Sequence, residues 1–191
     1  MAPSKRTQSK TEIRKQKLRD QLWPDAAQVV WDYKASPGWL NVPRAMPIIM
    51  RILDSQSKGQ PVSNCYFELW CRTYNDGFIN AVRAGEMAFF SGFDGERAQR
   101  TWASRIKRLE ELGLIRTAEG ASGPVDSILV LNPFPALQQL RDTRKISDRL
   151  WNALMSRMVE IGANDLDEKV VEHEVSERII KRRKRAKQIQ A

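Results

Sequence analysis

The sequence has one histidine, His173, and two cysteines, Cys65 and Cys71, among 191 residues. A zinc site built from His and Cys needs more ligands than these supply at any recognised spacing. The two cysteines lie six apart in a predicted helix and point in different directions, so a disulfide between them is not expected. They read as reduced core or near-core thiols. No apolar run approaches the 18 or more residues of a membrane span, and the basic N-terminus is followed by no apolar signal region. No glycine loop suited to cradling phosphates is present, Cys65 and Cys71 have no obvious partner base, and Ser91-Gly92 lacks the pattern of a nucleophile elbow. His173 lies in a charged stretch, where solvation is the expected state. Asp54, Glu68, Asp76 and Glu86 form no recognised metal-binding spacing. These absences lead to the expectation of a non-enzymatic cytoplasmic protein with no cofactor, no metal, no small-molecule ligand and no membrane partner.

Positive charge is abundant but unevenly placed. The net charge is +9, and 41% of residues are hydrophobic, enough for a real core. Residues 1 to 19 hold seven cations (Lys5, Arg6, Lys10, Arg14, Lys15, Lys17 and Arg19) against one Glu. Residues 178 to 191 hold seven more, Arg178, Lys181, Arg182, Arg183, Lys184, Arg185 and Lys187, and no acid. The body between these ends carries 18 bases and 22 acids, so the excess lies in the arms. Two basic arms on a mildly acidic body suit a polyanionic partner.

Breakers and apolar periodicity divide the chain into a largely disordered basic arm over 1–22, a helical extension over 23–60 and a central domain over 61–133. Helices over 134–163, a possible dimerisation surface, and a charged helix ending in a basic tail over 164–191 follow. "VPRAMPIIMRILDSQS" reads as a helix with Met46, Ile49, Met50 and Leu53 inward. From Pro61 the order is helix, strand, helix, helix, strand, loop, strand. "PVSNCYFELWCRTY" is the first helix, with Ser63 as its cap and Cys65, Phe67, Leu69 and Trp70 as buried candidates. "DGFINAV" is a strand, "RAGEMAFFSGF" a short helix, "LIRTAEG" a strand, "ASGPVD" a loop and "SILVLNP" a strand ended by Pro133. The aromatic residues fall at core-like positions, which weighs against an RNA-stacking platform within the alternative class, a protein- or RNA-docking module in a nucleoprotein assembly.

In the central domain, "FDGERAQRTWASRIKRLEELGLIRT" predicts a helix over 95–112, capped by Asp94 and released at Gly113. At about 100° per residue, Ala98, Trp102, Ile106, Leu109 and Leu112 form an apolar stripe. Arg97, Arg100, Ser104, Lys107 and Arg108 lie largely opposite. Arg105 falls on the apolar side, where stacking on Trp102 or pairing with an internal acid is expected.

This order resembles the winged-helix family of DNA-binding domains over roughly residues 61–133. Ala88 and Gly92 match the family's small residue in the second helix and glycine in the following turn, and "LEELGLIRT" resembles the end of its recognition helix. "GFDGE" makes the turn slightly long for that pattern. The overall layout also has a weaker similarity to small regulatory and replication proteins of bacterial plasmids. The resemblance implies a mainly α fold with a small β wing, a winged helix-turn-helix core with helical extensions, and double-stranded DNA as partner in the nucleoid. Arg97 and Arg100 would reach base edges, while Ser104, Lys107, Arg108 and, at the wing base, Arg116 would follow phosphates. The helix from Ser147 to Ile161, with Ile146, Leu150, Leu154, Met158 and Ile161 on adjoining turns, either packs on the domain or joins a partner subunit, and as the candidate dimer surface it makes a homodimer the expected assembly.

Deleting residues 178–191 is expected to weaken binding to every duplex about equally. Titration against salt should show a slope reduced by about 0.9 for each phosphate that the arm no longer neutralises. A changed sequence preference at unchanged slope would make the arm a reader of bases instead.

Overall fold

A computed structural model describes residues 10–31, 38–73, 76–121 and 123–166. The first nine residues and the C-terminal basic tail, with Lys5, Arg6, His173 and Lys181 to Lys187, lie outside the described residues. The chain divides into two compact units, residues 1–39 and 40–191.

In the first unit, α1 spans Lys10–Leu22 and α2 spans Ala26–Val29. Residues 10–22 are thus helical, from close to Thr11, where the sequence allowed a helix to begin within its largely disordered arm. Strong helix formers outweigh the missing apolar periodicity there. Lys10, Arg14, Lys15 and Lys17 are exposed along α1, and Arg19 pairs with Asp20.

The second unit holds α3 (Met46–Ser55), α4 (Ser63–Arg72), β1 (Phe78–Asn80), α5 (Ala84–Phe90), α6 (Ala98–Glu111), β2 (Ile115–Gly120), β3 (Gly123–Val130), α7 (Pro133–Asp142) and α8 (Asp148–Ile161). It is mainly α with one small antiparallel sheet in the order β1-β3-β2. The residue 60 boundary expected from sequence falls inside this unit, because Met46, Ile49, Ile52 and Leu53 of α3 share one core with Cys65, Tyr66 and Leu69 of α4 and Trp102, Ile106 and Leu109 of α6.

The α3–α4 connection is fixed by a single carboxylate. Asp54 Oδ1 accepts from the backbone N–H groups of Val62 and Ser63, both at 2.9 Å, and Oδ2 accepts from Ser63 Oγ at 2.7 Å. Ser63, expected as the cap, is the first helical residue, and the capping oxygens come from the preceding helix. A shared core and a shared carboxylate therefore bind α3 to α4.

Register follows side-chain alternation. Ile79 opposes Ile128, which opposes Thr117, and this row faces the core. Phe78, Leu129 and Arg116 form the neighbouring row on the outer face. β3 begins at Gly123, inside the stretch expected to be a loop, since Gly120 pairs with Gly123 across a short tip. A Cβ on Gly120 would lie 2.4 Å from the Asp126 carboxylate, so glycine there makes room for that side chain.

Ser147 caps α8, its Oγ accepting from the Leu150 N–H, and Gly162 ends the helix with φ +65°. Leu154 and Met158 are buried, and α8 packs on α3. Arg157 adds hydrogen bonds to the Arg44 carbonyl at 3.2 and 3.3 Å. The apolar stripe proposed from sequence as a dimer surface is therefore covered by this chain's own α3.

Replacing Trp102 with Ala should lower stability by about 3 to 5 kcal/mol, because the buried indole leaves a cavity. Asp54→Ala should cost about 1 to 3 kcal/mol by orphaning two N–H groups and a hydroxyl. Urea denaturation measures both; an Asp54→Ala midpoint equal to wild type would remove the cap from the stability of the fold.

Candidate nucleic-acid interface

The apolar stripe predicted for α6 is the side that packs. Trp102, Ile106, Leu109 and Leu112 are buried and Ala98 is half-buried. Arg97, Arg100, Ser104 and Lys107 are exposed on the other side. The helix starts at Ala98, three residues later than expected, and Arg97 occupies the N-cap. Asp94 does not cap it, because Gly95 takes φ +79° and turns the chain before the helix begins. Ala98 N–H bonds the Gly95 carbonyl at 3.1 Å, which closes that turn.

The approach of α5 to α6 relies on small residues. Ala88 is fully buried, and Gly92 reverses the chain with φ +85° while Phe93 N–H bonds the Ala88 carbonyl at 3.0 Å. A Cβ at Gly85 would stand 2.7 Å from Gln99 Nε2, the movable end of a side chain in the first turn of α6. At the other end Glu110 accepts from the Thr117 N–H at 2.7 Å and the Thr117 hydroxyl at 2.8 Å, anchoring α6 to β2.

The six cations and polar residues expected to meet DNA are not equivalent. Arg97, Arg100 and Lys107 make no ion pair with another described residue. Arg108 is committed within the fold: one guanidinium nitrogen donates to the Gln56 carbonyl at 2.7 Å and another to Glu111 at 3.0 Å. Arg116 stands apart from this line, on the outer face of the sheet beside Leu129. The hairpin beyond it carries Glu119 and Asp126 and no cation. Arg105 neither stacks on Trp102 nor pairs with an acid. It donates to Gln60 Oε1 at 2.7 Å and lies over the Phe93 ring at 5.9 Å.

Sequence patterning also missed a segment beside α6. The turn between α3 and α4 forms, with the exposed side of α6, a cleft of about 350 Å³ that includes Gln56, Lys58, Gln60, Ser104 and Lys107. No helical period reaches from residue 58 to residue 107, so only tertiary structure brings them together.

A second surface is apolar. Phe89 and Phe90 are 64% and 61% exposed with ring centroids 5.7 Å apart, and Phe67 is 40% exposed. These aromatics are not the core residues expected from their sequence positions; the core place in α4 goes to Tyr66. Arg72 lies over Phe90 at 5.5 Å and donates to Glu68 and Glu86. The Arg72 hydrogen bond holds the Glu86 carboxyl below its usual range.

Among the described residues no helix is long and apolar enough to cross a membrane, and no group of three or more His, Cys, Asp or Glu could hold a metal ion. No protein-family model, no curated protein and no solved structure matches the chain.

Both cysteines are free thiols, but Cys71 is exposed rather than near-core. Burial pushes the Cys65 thiol up to about 11. Burial and then the Glu68 charge raise that of Cys71. A small aromatic disulfide reagent at pH 8 should therefore titrate one thiol in the folded protein and the second only in denaturant. Equal, rapid reaction of both would show that the Cys65 site is open.

Proposed function

We propose that this chain binds double-stranded DNA through a winged-helix arrangement, with α6 as the helix that enters the major groove. The observation that carries the reading is the division of α6 into a buried stripe around Trp102 and an exposed line of Arg97, Arg100, Ser104 and Lys107. The element order from α4 to β3 and the strand order β1-β3-β2 agree with it.

In this reading Arg97 and Arg100 lie at the leading end of α6 with guanidinium forks that make no ion pair with another described residue, suited to the O6 and N7 acceptors of guanine. Ser104 and Lys107, further along, meet phosphates. Arg108 acts mainly as a tie within the protein, and the acidic hairpin gives the wing a minor part in binding. A bacterial transcriptional or plasmid-maintenance regulator, or a replication initiator at origin repeats, uses this same chemistry in the cytoplasm. No catalytic step enters the proposal. One recognition helix spans only a few base pairs, so a homodimer on paired half-sites belongs to it, joined elsewhere than the covered stripe of α8.

A second reading is a protein-docking module within a nucleoprotein assembly. The exposed Phe67, Phe89 and Phe90 favour it, since the charges near Phe90, Arg72 and Arg83 against Glu68 and Glu86, pair with one another, as suits a protein partner.

Selection of bound sequences from random duplexes tests the leading reading, with a short palindromic or repeated site expected. On that site Arg97→Ala or Arg100→Ala should cost about 1 to 3 kcal/mol and relax choice at one or two positions. Lys107→Ala should weaken selected and random duplexes alike. Unchanged discrimination in a folded Arg97→Ala, Arg100→Ala double variant would remove α6 from recognition.

A further inference from the structure

Among the described residues two that are not glycine have left-handed backbone, and both are cations in turns: Lys58 with φ +44° and Arg144 with φ +54°. A side chain in that region costs about 1 kcal/mol where glycine would be nearly free, so each turn holds a cation against backbone preference. Lys58 and Gly59 occupy the centre of a turn closed by Gln60 N–H on the Ser57 carbonyl at 2.9 Å. Arg144 stands where a glycine commonly ends a helix, with the next residue, Lys145, donating its N–H to the Leu140 carbonyl at 2.9 Å.

One residue joins the two turns to α6. Gln56 Nε2 donates to the Lys145 carbonyl at 3.0 Å, and the Gln56 carbonyl accepts from Arg108 at 2.7 Å. The α7–α8 turn, the α3–α4 turn and the second half of α6 are therefore successive neighbours. Acids near this line already have partners: Glu111 pairs with Arg108, Asp148 with Arg141, Asp54 accepts its three hydrogen bonds at the start of α4, and Asp142, beside Arg144, accepts one from the Gln138 amide at 2.9 Å. Lys58, Lys107, Arg144 and Lys145 are exposed and make no ion pair with another described residue.

We infer that these four cations form a phosphate track, which extends the basic side of α6 across both turns and binds the backbone of duplex DNA beyond the bases that α6 reaches. The inference rests on the proposed DNA binding by α6. Its chemistry is that of point charges on flexible stems following a regularly spaced polyanion, with no demand on base sequence. The cleft of about 350 Å³ beside Lys58 and Lys107, whose wall also carries the Arg108–Glu111 pair, gives one phosphate a place at its Lys58 and Lys107 side.

The test uses the full chain and a triple variant, Lys58→Asn, Arg144→Asn, Lys145→Gln; asparagine tolerates left-handed backbone, and thermal melting verifies the fold. Binding to the selected site and to a random duplex is followed across salt. The expected result is equal weakening on both duplexes and a slope of log K against log salt smaller by about 2 to 3, at about 0.9 per phosphate neutralised. A charge-preserving pair, Lys58→Arg with Lys145→Arg, should keep the wild-type slope, and a smaller slope in it would overturn charge as the cause. If the triple variant keeps the wild-type slope while Arg97→Ala, Arg100→Ala loses discrimination, the track fails and the reading of α6 stands. Absence of duplex binding by the wild-type chain would overturn both.

Discussion

Burial of Trp102, Ile106 and Leu109 fixes the rotation of α6 about its own axis, and the surface chemistry of the central unit depends on that constraint. A helix carries its side chains rigidly about every 100°, so burying one side determines which residues face solvent. Turning α6 by a third of a revolution would expose the indole and bury an arginine without a partner, at a cost of several kcal/mol. Arg97, Arg100 and Lys107 are thus presented by a core they do not touch.

The boundary between those two sides is held by polar contacts. Arg105 and Arg108 lie at the edge of the stripe, and each reaches the α3–α4 turn, through Gln60 and the Gln56 carbonyl respectively. Charge on a helix is therefore a poor guide to partner when it is counted alone. Of two arginines three residues apart in "RIKR", both are committed within the fold, while the lysine between them faces solvent.

What could be read from sequence was whatever has a short period. The stripe on α6, the stripe on α8, the strands bounded by Asp76-Gly77 and Pro133 and the glycine turns at 92 and 113 all announce themselves within a few residues. The start of α6 could not be placed that way, because Asp94 is a good cap and only the backbone of Gly95 decides against it. Neither could the fate of the phenylalanines: Phe67 and Tyr66 are adjacent aromatics in α4, and which one goes inward depends on where α3 and α6 meet that helix. The cleft at Lys58 was invisible for a stronger reason, since its sides lie more than forty residues apart in the chain. The carboxylate of Asp54 belongs to the same class, as a cap supplied from one helix to another.

The order of strands bears on how the unit can be assembled. Among the described residues β1 and β2 each pair with β3, the last of the three strands to be made, and Ile79 waits about fifty residues for Ile128. On a growing chain the helices α3 to α6 can gather their shared core before either early strand has a neighbour. β3 folds back on β2 as a local hairpin, and the sheet is complete when the other edge of residues 123–130 meets β1. The pairing of β1 with β3 closes the long loop, and its entropy must be met before the contact is rewarded, which makes it the costlier of the two pairings. Until it happens, Phe78 and Ile79 form an unprotected edge open to the wrong strand of another copy, and the interval between synthesis of β1 and of β3 is when this chain is most exposed to aggregation.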